Sequence, residues 1–133
     1  MKKTWLLALL LAGNLAVAAP PAIDDVNAAQ RLTELSAHQD VPANDARVVR
    51  TQGLLDQAVK VTGEAPQAIA AACRRYAGHL FDAAHVRAEP VELLEALAQF
   101  SAPGVAMNDT LGRYARLRKS RTHDEALAAM RQK

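Results

Sequence analysis

The sequence predicts an all-α protein, a compact helical bundle of about five to six helices behind an N-terminal signal peptide. Three observations carry that reading. Half the residues are hydrophobic but only 4% are aromatic, and β-branched residues nowhere alternate with polar ones as a half-buried strand requires. Apolar side chains instead recur at the three- and four-residue spacing of a helix face. The segments so marked are separated by proline, glycine and capping residues where helices start and stop.

The leader comes first. Lys2 and Lys3 precede an uncharged, leucine-rich run from Thr4 to Val17, which closes on Ala16-Val17-Ala18. A charged start, an apolar middle and small residues before a cut are the pattern of a secretory signal. Cleavage is expected between Ala18 and Ala19, which keeps Pro20 off the residue after the scissile bond. Gly13 and Asn14 interrupt the run, which falls short of the ~20 apolar residues of a membrane span. The expected plan is therefore residues 1–18 as signal peptide and 19–133 as a single helical domain. That domain is expected to be periplasmic or secreted and to have no transmembrane segment.

Six helices are expected, over 23–38, 44–62, 66–85, 90–101, 108–119 and 122–131. Pro42 separates the first two, and Asn44 or Asp45 caps the second. Gly63 stands where a left-handed residue closes a helix, and Pro66 fits the first turn of the next. Pro90 starts the fourth helix in the same way. Asn108 is the expected N-cap of the fifth, and Thr122 with Glu125 makes a capping box for the sixth. On the third helix Ile69, Cys73, Tyr76, Leu80 and Ala84 share an arc of about 80°. On the fourth, Leu93, Leu94, Leu97 and Phe100 face one way, with Glu92, Glu95 and Gln99 the other. The second helix is apolar over the widest arc, from Val48 to Val61, which makes it the expected centre of the bundle. Leu55, Val59, Ile69, Tyr76, Leu80, Leu94 and Leu97 are the expected core.

Charge narrows the function. The chain carries 16 basic and 14 acidic residues, and Lys2 and Lys3 are the whole excess. A processed chain would be formally neutral, so the sequence pI of 8.9 gives no argument for nucleic acid as partner. Residues 102–133 nevertheless hold 7 basic and 3 acidic side chains. Five of the basic ones fall between Arg113 and Arg121, and Arg113, Arg116 and Lys119 recur on one flank of the fifth helix. With Arg121 they form the candidate contact surface for an acidic protein or an anionic envelope surface.

A second candidate lies on the third helix, where Arg74, His79, Asp82 and His85 form a polar face. The three spaced by three residues drift 60° at each step and span 120°, so they meet one ligand only with help from a neighbour. No metal site is expected, since helical ligand pairs favour a spacing of four and the arginines oppose a cation. Cys73 is the only cysteine, which excludes an internal disulfide; inside its apolar stripe it reads as a packed thiol, with pairing between chains as the alternative. Gly78 opens the polar face of the third helix to some close neighbour, or is simply tolerated.

Haem-attachment, paired-cysteine redox, zinc-protease, serine-hydrolase, P-loop and dinucleotide motifs are all missing from the sequence, and no cofactor is expected. These readings imply an exported, non-enzymatic protein-binding or accessory module whose partner is another envelope or secreted protein. The alternative is a small-ligand binder or enzyme that uses the His79/Asp82/His85 face.

Overall fold

The computed structural model describes residues 22–132. The expected signal peptide and the expected cut between Ala18 and Ala19 lie outside them. Among the described residues all regular structure is helical: α1 Ala28–Ala37, α2 Ala46–Thr62, α3 Pro66–Ala84, α4 Pro90–Phe100, α5 Met107–Arg118 and α6 His123–Met130. No helix among them is long and apolar enough to cross a membrane.

Local chemistry sets the helix ends. The Asp24 carboxylate accepts the Val26 and Asn27 N–H groups at 2.8 and 2.7 Å, and Asn27 Oδ1 accepts the Asp24 N–H. That turn delays α1 to Ala28, five residues after the expected start. Asp45 accepts the Arg47 N–H and caps α2, and the neighbouring Arg47 guanidinium holds its carboxyl below the usual carboxylate range. Gly63 closes α2 at φ 71°. His85 takes the left-handed position after α3 at φ 53°, a conformation histidine tolerates better than most residues. At the start of α4, Glu92 reaches back to accept the Glu89 N–H at 2.9 Å. Thr122 and Glu125 form the expected capping box of α6. Asn108 does not cap α5, whose N-cap is Ala106. It sits in the first turn instead, where its carbonyl accepts the Tyr76 hydroxyl at 3.2 Å.

The core corrects one expectation. The hub is α4, not α2, because α4 packs against every other helix. Leu93, Leu94, Ala96 and Leu97 are completely buried in it. Its carboxylates are also partly covered, with Glu92 against Arg118 and Glu95 against His123, which leaves Gln99 as the exposed part of its polar side. Around the hub lie Leu32 of α1, Leu55 of α2, Ile69, Cys73 and Leu80 of α3 and Leu111 and Tyr114 of α5, all at most 1% exposed. Val59 and Tyr76, expected at full depth, are half-buried. Tyr76 stops at the surface because its hydroxyl is held by Asn108. Between α1 and α2 the Thr33 and Thr51 hydroxyls meet at 2.9 Å, each also 2.8 Å from the carbonyl four residues back, which satisfies two buried polar groups without water.

Candidate functional site

A wide concavity runs along the outward face of α3. It is an open groove of about 840 Å³. Small residues, Ala68, Ala71 and Gly78, line it together with Gln67, Arg74, Arg75, His79 and Asp82, and Ala22 and Ile23 border it. Helical period explains the face. The residues that point away from Ile69, Cys73 and Leu80 are the ones that line it. A Cβ added at Gly78 would meet nothing within 4 Å. No neighbouring backbone therefore needs that glycine, and the space above it is open.

The structure divides the two sequence-derived clusters. Of the α3 set, Arg74, His79 and Asp82 share the groove. His85 leaves it, because as the left-handed cap it turns back edge-on to Phe81, ring centroids 6.4 Å apart. Of the α5 set, Arg113 is engaged within the fold: its guanidinium donates to the Met130 and Gln132 carbonyls at 3.2 and 3.0 Å, neutralising the negative end of α6. Arg116, Lys119 and Arg121 are exposed and make no ion pair among the described residues. Arg118, not singled out in the sequence, is the inward-facing member of the run, 3.8 Å from Glu92 and donating to the Arg121 carbonyl at 2.8 Å.

The two clusters meet at one seam. Asn108, at the start of α5, bonds Tyr76 in the middle of α3, and Arg118, at its end, reaches the Arg87 carbonyl just beyond α3. The two helices therefore run in the same sense. A Cβ at Gly112 would lie 3.6 Å from Arg116 Nη1 and 4.0 Å from the Tyr76 hydroxyl, so the Arg116 guanidinium leans over Gly112 toward α3. From the other side the Arg75 guanidinium sits 5.7 Å from the Tyr76 ring centroid.

Sequence reasoning missed a polar relay in the interior. The Tyr114 hydroxyl is 2.6 Å from His123 Nδ1, and His123 Nε2 is 3.0 Å from a Glu95 oxygen. The neutral imidazole protonated on Nε2 satisfies both contacts, donating to Glu95 and accepting from Tyr114. Burial pushes the Tyr114 phenol well above its usual range; the negative charge of Glu92 adds to this and Arg118 opposes it. Tyr114 is completely buried and His123 and Glu95 are partly buried, and together the three side chains tie α6 to α4 and α5. No short-range signal marks the relay, because its members lie 9 and 28 residues apart in sequence. Cys73 is fully buried, and desolvation pushes its thiol up to about 12, an inert state rather than a nucleophilic one.

Among the described residues no three His, Cys, Asp or Glu side chains converge as metal ligands. Compared with known proteins, the chain matches no family model, no curated protein and no solved structure.

Proposed function

We propose that the protein is an exported, non-enzymatic accessory module that engages another envelope or secreted protein through the α3 side of its bundle. The observation that carries this reading is the shape of the α3 groove. Sites that process small molecules are usually concave and enclose most of the ligand around converging polar groups. This groove is open along its length and carries small residues among its polar ones. Its charged groups, Arg74, Arg75 and Asp82, are strung along two turns of one helix instead of converging from several elements. Such a surface suits an element of another protein laid along it. Export rests on the leader pattern, which is independent of the fold.

A photo-crosslinking residue placed at Ala71, in cells that produce the protein, tests the reading. A discrete protein adduct is expected from Ala71 and none from Gln57, on the far exposed face of α2. Equal adducts from both positions, or none from Ala71, would remove the α3 side as the contact.

A further inference from the structure

One exposed row of α3 is complementary to itself. Arg74, Gly78 and Asp82 stand four residues apart with the glycine midway, and all three are exposed and line the groove. Steps of four drift by only about 40° around a helix, so the three form one surface ridge. Neither Arg74 nor Asp82 makes an ion pair among the described residues. They stand ~12 Å apart along the helix axis, too far to pair with each other. A Cβ at Gly78 would meet nothing within 4 Å, so the row is a gap with one unpaired charge at either end.

We propose that this row is the contact of a symmetric dimer, in which the α3 helices of two copies of the chain cross antiparallel at Gly78. Each charge stands ~6 Å along the axis from the glycine. A two-fold axis beside Gly78 therefore brings Arg74 of one copy to the height of Asp82 in the other, and the reverse pair forms by the same operation. The row meets its own complement twice. Ridges of this spacing align when two helices cross at about −50°, and the glycine at the crossing lets the backbones approach. Phe81, 53% exposed beside Asp82, adds apolar surface next to the row. A parallel pairing would set Arg74 against Arg74, so charge selects the antiparallel one. Lys2 and Lys3 are the whole basic excess of the chain, so little net charge keeps processed copies apart. A single helix crossing is a small contact, which makes the dimer dependent on concentration. The second copy and the partner protein are alternative occupants of one groove. The dimer forms without the partner and so does not rest on the docking reading.

Sedimentation equilibrium of the purified protein over a series of concentrations tests this. The mass is expected to rise from one copy to two as concentration increases. Arg74→Glu and Asp82→Arg should each weaken association by about tenfold or more, because one reversal turns two attractions into two repulsions. The double variant Arg74→Glu/Asp82→Arg should regain the original association, and an equimolar mixture of the two single variants should form mixed dimers. Helicity and melting at the lowest concentration should stay the same in every variant, since both side chains are exposed. Lys60→Glu, an exposed position on α2, should associate as the original does. A mass of one copy at every concentration, single reversals that associate undiminished, or a double variant no better than the singles would overturn the proposal. The assay contains no other protein, so its failure is distinct from a failure of the crosslinking result at Ala71. In that experiment a product with the mass of two copies reports the dimer, and any other mass reports the partner.

Discussion

Replacing Gly78 with alanine should stabilise the protein by about 1 kcal/mol, the cost of a glycine in a helix interior relative to alanine. Each part of the estimate comes from the surroundings of the residue. Gly78 lies well inside the 19-residue α3, is exposed, and has helical rather than left-handed backbone geometry. The added Cβ would meet nothing within 4 Å, so no packing penalty opposes the gain. For a chain of this size the melting temperature should rise by about 3–6 °C. Gly53 in α2 has the same open surroundings and serves as a reference outside the groove. Because neither methyl touches another atom, the two gains should add, to about 2 kcal/mol in the double variant. Urea unfolding followed by circular dichroism reads the difference directly. A neutral or destabilising Gly78→Ala beside a stabilising Gly53→Ala would refute the reasoning, since it would mean that the space over Gly78 is filled in solution. If both variants stabilise and only Gly78→Ala weakens the adduct at Ala71, the glycine is there for the partner.

Three further outcomes are expected. Cys73 should add alkaline sensitivity: its thiol ionises near 9 when unfolded and at about 12 when folded, so its contribution is complete below pH 9 and falls by about 1.4 kcal/mol per pH unit above it. Cys73→Ala should show a correspondingly flatter stability profile between pH 9 and 11, and an equal slope in both proteins would contradict the burial. Tyr114→Phe should cost about 1–3 kcal/mol by leaving His123 Nδ1 without its donor, and His123→Ala in the same background should then cost less than it does alone; independent, additive losses would show that the relay is not one unit. The intact mass of protein recovered from an envelope or secreted fraction should correspond to a chain beginning at Ala19, and a mass that retains residues 1–18 would replace export by anchoring.

What was legible in the sequence was mostly what short-range chemistry decides. Pro66, Pro90 and the Thr122–Glu125 pair mark helix starts because a missing N–H or a returning carboxylate acts within one turn. Asn108 misled for the opposite reason: it has the chemistry of a cap, but Tyr76 and Arg75, more than thirty residues away, claim its carbonyl and side chain. The central helix was misassigned because an apolar arc measures only burial by carbon. Glu92 and Glu95 look solvent-facing in sequence and are in fact half-buried against Arg118 and His123. The same limit applies to the candidate surfaces. Periodicity found the outward face of α3 and the alignment of Arg113 with Arg116, but not that Arg113 turns to the end of α6 while Arg116 turns to α3. Those directions depend on which helix ends and glycines the fold places beside each arginine.

The position of α4 also governs how the chain comes into being. Each of the three helices before it buries its inner face partly against α4, and α4 is complete only at Phe100. A helix of 10 residues such as α1 is marginal by itself in water. At synthesis rates of roughly 5–20 residues per second, the 63 residues between the end of α1 and the end of α4 leave α1 for about 3–13 s without the element that unites the bundle. Whatever receives the nascent protein during that interval receives an open chain, and the bundle closes only after α4 has emerged.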